Sequence, residues 1–288
     1  AATVSGAIDG GEGDNTLDFS VYGAAVTFNF GSAVPTVTYK SGTITLTALA
    51  GFGNILNLIG STLSDTVSGP NSGAYFTITG ENAGIIAFQD ANATLKTYNF
   101  SGVENLTGGS GDDTFAFTVD GELQGSINGG AGTNRLDYSV YVPDDGSTRG
   151  VLIDLTQGIV QGLTSMHALT AVPNIIGSLF DDTLIGSLAN NILSGLAGND
   201  TMKGVGGHNI ITGGDGDDEL YGGSGTDYIS GGAGSDSLHG GSGTTTFIFE
   251  DGWGEDTFAD YVNEGGAGAE EAGNYILDFT AVTAGLDI

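Results

Sequence analysis

The residues of this sequence that could do chemistry are aspartates held in glycine-rich turns. Asp182, Asp200, Asp218 and Asp236 recur at intervals of eighteen residues, each five places after a glycine. Midway between them, at the equivalent place of the alternate turns, stand Asn191, Asn209, Asp227 and Thr245. Calcium takes six to eight oxygen ligands at 2.3–2.6 Å and tolerates irregular geometry. Glycine accepts positive φ, so a tight glycine-rich turn can aim several carbonyls at one point, and an aspartate adds the charge. If turns eighteen residues apart stack as parallel strands do, they lie about 4.8 Å apart. Successive carboxylates then repel by about 3 kcal/mol at an effective dielectric of about 20. The first ladder therefore needs cations between its rungs. The second has little charge to neutralise, and its asparagines can hydrogen-bond along the ladder instead. An isolated aspartate can simply cap a turn. Both roles stay open for Asp65, Asp113 and Asp256, whose stacking partners the sequence does not identify.

The elements that position these side chains read in steps of nine from Gly177 to Ile248: GSLFDDTLI, GSLANNILS, GLAGNDTMK, GVGGHNIIT, GGDGDDELY, GGSGTDYIS, GGAGSDSLH and GGSGTTTFI. The eighth place is always a large apolar residue: Leu184, Leu193, Met202, Ile211, Leu220, Ile229, Leu238 and Phe247. One such residue per nine, after a glycine-rich turn, describes a short strand with one side chain in the core. It is too sparse for a helix face and too regular for a linker.

This pattern resembles the RTX, or haemolysin-type calcium-binding, repeat GGxGxDxUx. The resemblance implies that two nonapeptides make one turn of a right-handed parallel β-roll, with several calcium ions held between turns eighteen residues apart. One turn would give carbonyls from places two and four plus its aspartate, and the next would give carbonyls from places one and three plus its own. Carried onto this chain, the carbonyl donors include Gly198, Gly213, Asp215, Gly214, Gly216, Gly231 and Ala233, beside the carboxylates of Asp182, Asp200, Asp218 and Asp236. In the second ladder only Asp227 carries charge. The resemblance also implies a bacterial protein, exported by type I secretion and working outside the cell or on its surface.

The remainder carries the same units more loosely. GGEGDNTLDFS begins at Gly10, GGAGTNRLDYS at Gly129, and GNYILDFT at Gly273. Each leads towards alternating segments such as Val26–Phe30 and Thr43–Thr47. Asn-apolar steps at Asn57, Asn105 and Asn174 introduce the turns bearing Asp65, Asp113 and Asp182. Residues 74–100 read as a hairpin insertion. The expected fold is all-β, a right-handed parallel β-roll or β-solenoid with irregular β-coils and hairpin insertions. The expected divisions are repeat units at 1–128 and 129–176, the roll at 177–248, and a connector with the start of another repeat at 249–288. Leu277-Asp278-Phe279-Thr280 echoes Leu17-Asp18-Phe19-Ser20, as if one period had been cut from a longer array.

Composition limits the function. The chain has 288 residues, 53 of them glycine, and a formal net charge of −30. Such a chain repels nucleic acid and anionic membranes, and its natural partner is a cation. Without cysteine there are no disulfides or thiolate sites, so calcium would be the staple. No apolar run is long enough for a membrane-spanning helix, and Ala1-Ala2-Thr3-Val4 does not read as a signal peptide. Neither HExxH nor G-x-S-x-G occurs, and His208 and His239 fall at repeat places five and nine. No enzymatic activity is expected. Two functions are carried forward. One is a structural calcium-binding segment of a large surface protein, such as an adhesin stalk, S-layer or filament, joined to similar modules or copies of itself. The other is the calcium-folding export module of a secreted enzyme.

Overall fold

The computed structural model describes residues 12–30, 36–39, 42–45, 55–161, 169–259 and 273–283. Over these residues the chain is all-β, with twenty-five strands and no helix. The strand expected at Thr43–Thr47 is found at Gly42–Thr45, and its last two residues, like Gly10 and Gly11, lie outside the described residues.

Two compact units form, one from 1–136 with 162–172 and the other from 137–161 with 173–288. Stacking, not chain order, defines a unit. Strand Ile127–Asn128 pairs with Leu169–Thr170 in the first unit, while strand Arg149–Asp154 pairs with Asp181–Ser187 in the second. The segment read as one repeat, 129–176, is thereby divided between them.

In the second unit the nonapeptides stack in parallel at a constant step of eighteen. Leu184 lies opposite Met202, Met202 opposite Leu220, and Leu220 opposite Leu238. On the other side, Leu193 faces Ile211, then Ile229, then Phe247. Every one of these eighth-place side chains is buried. The strand part of each repeat is short and its side chains alternate in direction, so places six and eight face inward and the eighth alone supplies a large apolar side chain. Burial of each such side chain is worth about 1.5–3 kcal/mol. Beneath the first repeat, Ile153 continues the column opposite Leu184. Beyond the last, an aromatic group closes it: Phe249 stacks on Phe279 at 4.5 Å and meets Trp253 at 5.0 Å, and Phe247 meets Phe258 at 5.2 Å.

Glycine is obligatory where coils approach. At Gly216, with φ of +135°, a Cβ would stand 2.1 Å from the Gly198 carbonyl oxygen one coil before.

The first unit uses the same stacking with unequal steps. Phe28, Val67, Leu106, Ile127 and Leu169 form one parallel column. The longer steps contain antiparallel excursions. One joins Val26–Asn29, Thr36–Tyr39 and Gly42–Thr45. The other joins Tyr75–Gly80, Ala83–Gln89 and Leu95–Ser101, at the expected hairpin insertion. Phe115 stacks on Phe76 at 4.9 Å in the core.

Ile210 and Ile211 are adjacent, chemically identical and oppositely directed, 48% and 1% exposed. Ile211→Ala is expected to cost about 2–5 kcal/mol through the cavity it leaves, and Ile210→Ala less than about 1 kcal/mol. Denaturant unfolding in calcium measures both. Equal losses would contradict the one-residue-per-repeat core.

Candidate metal centre

The sixth place of each repeat ends its turn just before the inward-facing eighth residue, and the stacking sets these side chains one above another. The backbone N–H of Asp182 donates to Asp200 Oδ1 at 2.7 Å, that of Asp200 to Asp218 Oδ1 at 2.8 Å, and that of Asp218 to Asp236 Oδ1 at 2.9 Å. The row continues to Asp256, whose Oδ1 accepts the Asp236 N–H at 3.1 Å. Asp256 follows a displaced turn with positive φ at Gly252 and Gly254.

The second carboxylate oxygen is different. Oδ2 of Asp200, Asp218, Asp236 and Asp256 is buried and has no hydrogen-bond partner, and so is Oδ2 of Asp227 in the second ladder. Those of Asp200 and Asp218 lie beside a carbonyl of the next coil. A Cβ on Gly195 would stand 1.9 Å from Asp200 Oδ2 and 2.7 Å from Gly213 O. A Cβ on Gly213 would stand 2.1 Å from Asp218 Oδ2 and 2.5 Å from Gly231 O. A buried carboxylate oxygen beside a carbonyl oxygen, with no donor between, is costly. Burial, and then the neighbouring aspartates, push Asp200 up to about 8. Burial likewise lifts Asp218 to about 7 and Asp256 to about 6, and raises Asp236 and Asp227.

Not every sixth-place residue is so exposed to this conflict, and the second place decides which are. Where that residue has ordinary φ, its N–H caps the carboxylate. Ser178 N donates to Asp182 Oδ2 at 2.6 Å, and Val151 N to Oδ1 at 2.6 Å. Gly109 N and Ala74 N do the same for Asp113, at 2.9 and 2.7 Å. Ser61 N and Val26 N do it for Asp65. Where the second place has positive φ, as at Leu196, Val205, Gly214, Gly223, Gly232 and Gly252, no such bond to the sixth-place side chain forms, and the aspartates in these turns keep a bare Oδ2. Sequence reasoning missed Leu196 and Val205, because a left-handed Leu or Val breaks the usual preference. The signal that does separate most closed turns is Ser at place two: Ser61, Ser178 and Ser187.

The carbonyls named from sequence divide into two groups. Those of Asp215 and Ala233 accept the N–H groups of Gly198 and Gly216 at 2.9 and 2.8 Å. Those of Gly198, Gly214 and Gly216 point at Gly216, Gly232 and Gly234 of the next coil, and those of Gly213 and Gly231 stand beside the bare carboxylate oxygens. An outer rank at place five was not foreseen. There Asp181, Asn199 and Asp217 each accept an N–H from the coil above, at 2.8–2.9 Å.

Among the described residues no three Asp, Glu or His side chains gather into one cluster. The acids of the first row are strung one per coil, and carbonyl oxygens would have to complete any ligand set. All donors are hard oxygens, which suits calcium and not a thiolate- or imidazole-seeking metal. The ions would supply positive charge between coils.

The raised pKa values fix the sign of a pH effect without calcium. A carboxyl whose folded pKa lies above its unfolded value stabilises the fold below about pH 4, and that contribution is lost as pH rises through the folded value. For Asp200 the loss runs up to about 8 and for Asp218 up to about 7. In chelator, the β signal in circular dichroism is expected to grow on acidification from pH 8 to pH 4. A calcium-free fold that weakens monotonically over that range would contradict these environments.

No curated protein matches the chain. The RTX calcium-binding nonapeptide repeat matches in four copies, at residues 98–116, 176–211 and 212–247. The unpartnered carboxylates of the stacked turns fall in the last two of these stretches and just beyond them. This chain therefore carries RTX calcium-binding nonapeptide repeats.

Proposed function

We propose that the chain is a calcium-rigidified structural segment of a large exported bacterial protein, such as an adhesin stalk, an S-layer or an extracellular filament. The observation that carries this reading is the row of buried, unpartnered Oδ2 atoms at Asp200, Asp218, Asp236 and Asp256. Calcium ions fill the spaces between successive members of that row, and a weaker place lies beside Asp227. Asp65, Asp113 and Asp182, whose oxygens already hold N–H donors, act as turn caps. The roll is right-handed, as about 98% of parallel crossover connections are.

A structural role is favoured by recurrence inside the chain. The same turn, an apolar residue, Asp, any residue and Ser or Thr, occurs at 17–20, 136–139, 153–156 and 277–280. In each the aspartate Oδ1 accepts the N–H two residues on, at 2.7–3.0 Å. Modules that restart in one register suit a repeating array. Strand Asn274–Ala281 presents Tyr275, Ile276 and Leu277 at 40–52% exposure, and further coils or further copies stack there. Outside the cell, calcium modules work at affinities on the order of 10⁻⁴–10⁻³ M, which ties folding to export.

Chelation of the purified chain is expected to abolish most β structure, and millimolar calcium to restore it, since binding and folding are one event. Asp218→Ala, which removes the carboxylate shared by two neighbouring spaces, should lower bound calcium by one to two ions in equilibrium dialysis and depress the melting temperature. Unchanged melting after exhaustive chelation would refute the proposal.

A further inference from the structure

The second ladder poses a question that its low charge alone does not answer. Val205 has φ of +77°, so the turn of Asn209 is of the open kind, like those of Asp200 and Asp218. Its cage of oxygens is therefore built, yet its own sixth place supplies an amide and not a carboxylate.

The sixth-place amide fills it. Asn209 Nδ2 donates to Gly206 O at 3.1 Å, to Gly222 O at 3.3 Å and to Asp227 Oδ1 at 2.9 Å. Its orientation is fixed by its other end, since Asn209 Oδ1 accepts the Asn191 N–H at 3.0 Å. The geometry repeats the first ladder with one atom exchanged. A Cβ on Gly204 would stand 2.5 Å from Asn209 Nδ2 and 2.4 Å from Gly222 O. A Cβ on Gly195 would meet Asp200 Oδ2 and Gly213 O at the corresponding positions. Oxygen faces oxygen in the one case, and a donor faces oxygen in the other.

The same device occurs in the first unit, far from the regular roll in sequence. Gly130 has φ of +77°, and Asn134 Nδ2 donates to Ala131 O at 3.1 Å and to Ala171 O at 3.0 Å. Its Oδ1 accepts the Asp113 N–H at 2.9 Å. Asn134 is fully buried, as is Asn209.

We propose that the side-chain amides of Asn209 and Asn134 stand in for calcium, each plugging a latent cation site with a built-in hydrogen-bond donor. This rests on the reading that the bare aspartate turns bind calcium, and it adds the rule for which open turns do not. A plugged turn is satisfied without metal, and its carbonyls are not available to an ion. Asn and Asp have the same shape, so a single atom decides between an occupied and a plugged site.

The test is Asn209→Asp in the full chain, with bound calcium counted at saturation by equilibrium dialysis and by native mass spectrometry. The variant is expected to hold one ion more than wild type and to need more calcium for half-maximal folding. Asn134→Asp should likewise add one ion. If wild type binds calcium and both variants bind the same number, the proposal is overturned and the calcium reading stands. A variant that fails to fold even in saturating calcium also overturns it, because the cage then does not accept an ion. If wild type binds none, the calcium reading falls and takes this one with it.

Discussion

The confrontation of two buried oxygens governs this molecule. Stacking coils at eighteen-residue intervals brings a carboxylate oxygen of one turn against a carbonyl oxygen of the next, as at Asp200 and Gly213. The stacking itself is not optional, because each repeat has only one large apolar side chain facing inward and buries it only against its neighbours. The core therefore creates an electrostatic conflict that it cannot resolve. Something positive must enter between the coils, or the carboxyls must take up protons, or the turn must change. The chain contains all the means of changing the turn.

Those means are set by two places of the repeat. Place two decides whether the turn is closed by its own N–H, as by Ser178 on Asp182, or open, as at Leu196 and Gly214. Place six then decides what fills an open turn: a carboxylate with a bare oxygen, or an amide that donates. Left-handed Leu196 and Val205 cost of order 1–3 kcal/mol each. Their persistence in two adjacent repeats is accounted for if open turns are worth more than that once filled.

Much of this was legible in sequence and some was not. The period, the buried eighth place and the two ladders follow from spacing alone, because a nine-residue step with one apolar residue has few other meanings. The parallel register of Leu184, Met202, Leu220 and Leu238 follows directly from it. The unit boundaries were not legible, since residues 129–176 are shared out by hydrogen bonding that spans many residues, such as Asn134 to Ala171. Nor could spacing separate Asp182 from Asp200. Both sit at place six of an aspartate turn; the φ of residue 196 sets them apart, and its trace in the sequence is Ser178 against Leu196 at place two. Asp256 was obscured by a displaced turn, yet it completes the row.

The most direct measurement is a crystal structure grown in calcium, with diffraction collected where calcium scatters anomalously. The account predicts anomalous peaks beside Oδ2 of Asp200, Asp218 and Asp236, and none beside Asp65, Asp113 or Asp182. Peaks at the three capped carboxylates, or none along the row of bare oxygens, would contradict it.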